Sequence, residues 1–177
     1  MLSLVWNSNL IFSKGLLAAI DGYLLAHSAG LPVTLTVIGS PVADHYMSKD
    51  KIFREFSDRL SSNKFKYLGP VDLATSNALV MSSDCVILPS FYASECQPLA
   101  IISAMCYGCE VVATETPAML STLGDYPAWH AKPKPAHIAE IISEIARSRK
   151  VTNKDVLRAR KRFSTEKFLQ GMNDVLC

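Results

Sequence analysis

Two charged side chains of this chain stand where their charge calls for a reason, Lys14 and Glu95. Glu95 is an isolated acid in a polar loop. That loop follows the apolar run Cys85-Val86-Ile87-Leu88, which reads as a buried strand, and precedes a helix predicted to start at Pro98. Proline suits the first helical position because its missing N–H would be unpaired there anyway. Gly108 then supplies the glycine that ends the helix. Lys14 stands in Ser13-Lys14-Gly15, where a first strand hands over to a first helix. A cation at a helix N-terminus opposes the dipole, whereas an acid there is favoured. Beside such a terminus, however, a lysine can meet phosphate oxygens. Where two such loops follow strands of one parallel sheet, their residues can converge on one crevice, the place where open α/β sheets bind ligands. The plainer alternatives are a solvated first-turn lysine and a solvent-facing loop acid.

The other chemistry-bearing residues form no constellation. The spacing of a Walker loop is absent, and so is a Gly-x-Ser-x-Gly elbow. His27, His45, His130 and His137 are scattered and are assigned to no metal and no general base. The five cysteines are Cys85, Cys96, Cys106, Cys109 and Cys177. An odd count in apolar surroundings predicts reduced thiols and a cytoplasmic chain. Cys106 and Cys109 have redox spacing but fall at a helix C-terminus, where the dipole gives a thiolate no help. The 177 residues suffice for one domain with a full core. A net charge of +2 argues against nucleic acid as a partner. No apolar run reaches the length of a membrane span, and the N-terminal run 1–6 lacks the basic flank and cleavage site of a signal peptide.

The elements that must position Lys14 and Glu95 alternate. Strands are predicted at 2–6, 33–39, 65–68, 85–88, 111–114 and 128–131. A helix over 14–29 is capped by Ser13. Another over 49–60 carries Ile52, Phe53, Phe56 and Leu60 on one side, and Asp72 caps a third over 73–82. Short and long helices follow at 117–123 and 135–148. A basic, solvated helix is predicted over 152–162, and an amphipathic one over 164–176 with Phe168, Met172 and Val175 inward. Strands alternating with helices call for an α/β fold: a Rossmann-like parallel sheet covered by helices on both faces, with residues 1–177 as one domain.

Several stretches, in order along nearly the whole chain, resemble the C-terminal, nucleotide-sugar-binding domain of retaining glycosyltransferases of the GT-B fold, group 1 class. They are Ser8-Asn9-Leu10-Ile11-Phe12-Ser13-Lys14-Gly15, Leu35-Thr36-Val37-Ile38-Gly39, Phe65-Lys66-Tyr67-Leu68-Gly69-Pro70-Val71, Ser83 through Ser90, and Glu95-Cys96-Gln97-Pro98-Leu99 with Gly108 and Val111-Val112-Ala113-Thr114. The resemblance implies a donor-binding half of an enzyme that transfers a sugar from a nucleotide-diphosphate sugar to a polysaccharide, lipopolysaccharide or similar acceptor. It implies that Lys14 contacts the donor diphosphate, in a turn lined by Ser8, Asn9 and Gly15. Glu95 would bind sugar hydroxyls. The backbone N–H groups of Cys96, Gln97 and Leu99 would face sugar and diphosphate, and the loop from Gly69 to Val71 would lie near the nucleobase. No metal or other cofactor is implied.

Three departures from the family's pattern bear on function. Ser103 stands eight residues after Glu95, where the family has a second Glu for the ribose hydroxyls. Ser8 and Asn9 occupy positions where an Arg is common. Thr116-Pro117-Ala118 replaces a Gly-Gly loop. The family's N-terminal acceptor domain is also expected as a partner, in cis or in trans, with the last helix packing toward it and any peripheral membrane contact made through it. The chain alone is then expected to be inactive. Two other readings stand beside this one: a non-catalytic domain of the same fold with a degenerate donor site serving as a partner interface, and a nucleotide-sugar epimerase of similar fold.

Overall fold

The computed structural model describes residues 1–167, 169 and 170. The helix expected over 164–176, with Phe168, Met172 and Val175, falls largely outside these residues.

Six parallel strands form one sheet: β1 (Leu2–Asn7), β2 (Val33–Ile38), β3 (Lys66–Tyr67), β4 (Cys85–Leu88), β5 (Glu110–Ala113) and β6 (Trp129–His130). Their spatial order is β3-β2-β1-β4-β5-β6, so the winding reverses between β1 and β4. In register, Leu4 lies opposite Leu35 on one side and Cys85 on the other. β4 is apolar without alternation, as burial on both faces requires; all four of its residues are buried, and so are all four of β5, which opens on Glu110.

The helices are α1 (Leu16–Ser28), α2 (Lys49–Leu60), α3 (Leu73–Met81), α4 (Leu99–Tyr107), α5 (Pro117–Leu123), α6 (Pro135–Arg147) and α7 (Asn153–Arg162). α1 packs on α6 and α2, while α4 packs on α3, α5 and α7. The α1–α6 contact is close enough that a Cβ at Gly22 would meet Ile138 Cγ2 at 2.6 Å. Ser48 and Asp72 accept the N–H of Lys51 and Thr75 as N-caps of α2 and α3, as Asp72 was expected to do. In α2 the inward residues are Ile52 and Phe56. Phe53, placed with them on sequence, is exposed, because it is one residue off the 3.6-residue stripe they define.

Three expectations are corrected. The first helix does not run from Lys14 with Ser13 as its cap. Residues Phe12–Lys14 form a 3-10 turn, Gly15 turns left-handed at φ +82°, and α1 begins at Leu16. Pro98 is the N-cap of α4, with extended ψ of 98°, and the helix proper starts one residue later. Third, α7 is solvated over most of its surface but not all round: Ala159 and Asp155 are buried. Arg160 Nε donates to the Cys106 carbonyl at 2.7 Å, and Arg162 donates to Ser121 and Thr122 carbonyls at 2.6 and 2.8 Å. Its cations thus satisfy carbonyls that the last turns of α4 and α5 leave unpaired.

The amino edge of the sheet is tied by two carboxylates. Asp84 accepts from Ser3 N–H at 2.8 Å and pairs with Arg149. Buried Glu110 accepts from Trp129 Nε1 at 2.6 Å and from the N–H groups of Lys150 and Val151 at 2.8 and 3.0 Å. Lys150 Nζ lies 3.5 Å from the centroid of the Trp129 ring.

Candidate functional site

The loops after β1 and β4, neighbours across the reversal of strand order, lie side by side. Their contact depends on Gly15, whose Cα sits so near the β4 loop that a Cβ would stand 2.3 Å from the Pro89 carbonyl oxygen. Phe91 N–H donates to the Ser13 carbonyl at 2.7 Å. The two chain segments therefore form one continuous shelf at the carboxyl edge of the sheet, where the crevice of a doubly wound fold opens.

On this shelf Lys14 and Glu95 meet, with Nζ 3.7 Å from Oε2 and both side chains largely covered. Lys14 Nζ also donates to Ser8 Oγ at 3.1 Å. The carboxylate offsets the unfavourable position of a cation just ahead of α1. Glu95 is in turn held from below. Ser90 Oγ donates to its Oε2 at 3.3 Å and accepts the Tyr92 N–H at 3.2 Å. The buried Thr114 hydroxyl donates to the Ser90 carbonyl, joining the end of β5 to this loop. The Tyr92 ring centroid is 6.0 Å from Lys14 Nζ.

The other side of the Lys14 turn is anchored by Asp44, from the loop after β2. Its Oδ2 accepts the Ser13 N–H at 2.8 Å, and its Oδ1 accepts those of Tyr46 and Met47 at 2.9 and 2.8 Å. Burial works to raise the Asp44 carboxyl's pKa, but the bonds from Ser13, Met47 and Tyr46 outweigh it and hold it below the ordinary carboxylate value. Phe12, Tyr46 and Phe91, one from each of three loops, pack edge-on or tilted with centroids 5.7–6.2 Å apart.

Of the residues singled out on sequence, the structure brings Ser8, Lys14 and Glu95 together and presses Gly15 against their loop. Asn9 is exposed next to Ser8. Gly69 sits at the end of β3 and accepts the Gly39 N–H at 3.0 Å; Gly39 is in turn packed so closely on the Ser8 carbonyl that a Cβ there would lie 2.1 Å from its oxygen. Val71 is half-buried in the same loop. Cys96, Gln97 and Leu99 are exposed at the start of α4, whereas Ser103 is half-buried one turn further along. Leu99 N–H precedes the first intrahelical donor, Ile101, so it is one of the helix's unpaired donors. A groove of about 560 Å³ flanks this terminus on the α7 side, between Leu99, Ile102 and Phe163; Lys14 and Glu95 do not line it.

Ser90, Thr114 and Asp44 were not singled out on sequence. Ser90 sits in a quoted motif without a role, and Asp44 lies in an ordinary loop. Only its position two and three residues before the N–H groups it accepts, an Asx-turn pattern, marks it locally. Among the described residues, no three His, Cys, Asp or Glu side chains are grouped to hold a metal, no helix is long and apolar enough to cross a membrane, and Cys85, Cys96, Cys106 and Cys109 are free thiols.

Residues 4–148 match a family model described as glycosyl transferases group 1. No curated protein matches. Among solved structures, HepE from Anabaena, in complex with UDP and glucose, is 20% identical and superposes with a TM-score of 0.74 over 98% of this chain and 47% of its own. The sucrose-phosphate synthase of Thermosynechococcus elongatus is 19% identical, with a TM-score of 0.75 over 99% of this chain and 44% of its own. TarM from S. aureus, in a complex containing UDP, is 18% identical, with a TM-score of 0.72 over 97% and 34%. At these identities the likeness concerns the fold. The chain spans about half the length of the first two.

Proposed function

The chain belongs to the group 1 glycosyl transferases, and on that premise we propose that it is the donor-binding half of an enzyme moving a sugar from a nucleoside-diphosphate sugar to a polysaccharide, lipopolysaccharide or similar acceptor. The observation that carries this reading is the meeting of Lys14 with Glu95 at 3.7 Å where the strand order reverses. When the bond from the anomeric carbon to the diphosphate breaks, its electron pair goes to the leaving phosphate oxygen. A fixed ammonium and unpaired N–H groups at a helix start stabilise that growing charge without reorganising. In this reading Lys14 takes the diphosphate, helped by Ser8, Asn9 and Gly15 and by the N–H groups of Cys96, Gln97 and Leu99. Glu95, steadied by Ser90, accepts hydroxyls of the donor sugar. Gly69 and Val71, at the end of β3, border the nucleobase, and the Ser103 hydroxyl serves the ribose with shorter reach than a carboxylate has. No metal takes part. The acceptor site and any general base come from an N-terminal domain supplied in cis or in trans, which also makes any contact with a membrane surface. The isolated domain binds donor without transferring it. The free thiols support a cytoplasmic setting.

HepE is seen with UDP-glucose, so uridine compounds are the first probes. Calorimetric titration of the domain with UDP, GDP and ADP should show binding of one of them. Lys14→Ala should weaken it by about 1.5–3 kcal/mol, the loss of a hydrogen bond to a charged group. A folded domain that binds none of the three would overturn the reading. It would favour the second one, a non-catalytic module whose cleft meets a partner protein, which Ser103 in place of an acid supports. The epimerase reading has no observation in its favour here.

A further inference from the structure

We infer that Asp44 is the positioning residue for Lys14, an inference that rests on the donor-site reading above. Among the described residues, Lys14 itself is bound at its tip only to Ser8 and Glu95. Its backbone is gripped from two sides. The peptide N–H of Ser13 goes to Asp44 Oδ2 at 2.8 Å, and the Ser13 carbonyl, in the peptide unit that leads into Lys14, takes the Phe91 N–H at 2.7 Å. Asp44 is 31 residues away in sequence and is fixed in its own loop by two further N–H groups on its other oxygen. The Phe12, Tyr46 and Phe91 rings close the same three loops around the turn. Lysine has a flexible stem that spreads its charge over many rotamers. Holding its Cα between two strand-end loops reduces the volume that its ammonium samples, which is the general route by which preorganisation raises affinity.

The carboxylate divides its labour by oxygen, which makes asparagine a discriminating substitution. In Asp44→Asn the single carbonyl oxygen keeps the two bonds from Tyr46 and Met47, and the NH₂ group then faces the Ser13 N–H, donor against donor. The loop survives and the grip on the Lys14 turn is lost. The substitution also removes a negative charge from the neighbourhood of an anion-binding lysine. Electrostatics alone would therefore tighten UDP binding, whereas loss of positioning weakens it, so the sign of the effect separates the two.

The experiment is a double-mutant cycle read by calorimetry on the folded domain with UDP, or with GDP or ADP where the wild type binds that one instead, each variant checked by circular dichroism. Asp44→Asn should bind UDP about tenfold more weakly, the equivalent of one hydrogen bond. In a Lys14→Ala background it should cause no further loss, because it acts through Lys14. Asp44→Glu, which keeps the charge but displaces the carboxylate by one methylene, should also bind more weakly and serves where the Asn variant does not fold. Affinity in Asp44→Asn equal to or tighter than wild type, or an equal loss in both backgrounds, overturns the inference while leaving the donor site intact. Wild-type protein that binds none of UDP, GDP and ADP, or a Lys14→Ala variant that binds the nucleotide as well as wild type, removes the donor-site reading and this inference with it.

Discussion

Gly15→Ala tests the contact on which the whole crevice is built. Two separate costs fall on this position. Its φ of +82° lies in the left-handed region, where an L-residue with a Cβ pays about 1–2 kcal/mol. In addition the new Cβ would sit 2.3 Å from the Pro89 carbonyl oxygen and 2.8 Å from Pro89 Cγ. Neither neighbour is the free end of a long side chain, and the Phe91 to Ser13 bond holds the two loops together, so relief requires parting the β1 and β4 loops. Overpacking of this kind costs about 1–3 kcal/mol. The sum, roughly 2–5 kcal/mol, is a large share of the stability of a domain this size and should lower Tm by about 4–20 °C. Gly30→Ala is the matched control. Its φ is +84°, yet no atom lies within 4 Å of the added Cβ, so it should carry only the backbone cost of about 1–2 kcal/mol. Urea melts of both variants give the steric part by difference. Equal loss in the two variants would refute the reasoning, since it would mean that the loops are not in the contact described. A second readout follows from the same displacement: Gly15→Ala should weaken nucleotide binding, and Gly30→Ala should not.

Acid should unfold the domain through particular carboxylates. For Asp84, as for Asp44, burial acts to raise the pKa, but bonds from Ser3 and Arg149 outweigh it and hold the folded-state value low; Asp155 is lowered chiefly by Thr152. Groups depressed below their unfolded value of about 4 contribute stability that is complete above that pH and is lost as pH falls through the folded values. The urea midpoint should therefore hold steady from neutral pH down to about 5 and drop below about 4, and Asp84→Asn should flatten that drop. Thiol chemistry should follow burial: burial pushes the Cys109 thiol up to about 12 and raises Cys85 well above its ordinary value, whereas Cys96 is exposed. Peptide mapping after brief alkylation of the native protein near pH 8 should find Cys96 modified and Cys85 and Cys109 protected until urea is added; early labelling of Cys109 would contradict the packing at the start of β5.

Local signals were readable wherever the cause was local. α2 and α5 run over the residues expected because Ser48, Thr116 and Pro117 are start signals within one turn of the helix. The strand centres were readable because burial on both faces leaves runs of apolar residues. What sequence reasoning missed was caused at a distance. Ser13 has the composition of a cap, but the turn there is dictated by Gly15 against Pro89, 74 positions on, and by Asp44. Lys14 and Glu95 were found as types in loops; that they touch follows from strand order, which periodicity does not specify. Glu110 was left outside the strand it opens, because a buried acid makes sense only once the N–H groups of Lys150, Val151 and Trp129 are seen around it. The basic helix α7 was read as solvated, and its packed side was not legible because the carbonyls of α4 and α5 that accept from Arg160 and Arg162 lie 40 or more positions away in the chain.

Those arginines define how far the inheritable unit extends. The family match stops at residue 148, but residues 149–162 complete what precedes them. Arg149 and the backbone of Lys150 and Val151 bind Asp84 and Glu110, while Arg160 and Arg162 close the ends of α4 and α5. A graft cut at 148 would carry a buried carboxylate without two of its three donors and two helix ends without their cations. Recombination between relatives is then permitted only with α7 included, and chimeras joined after Arg162 should outlive those joined at the edge of the recognisable homology.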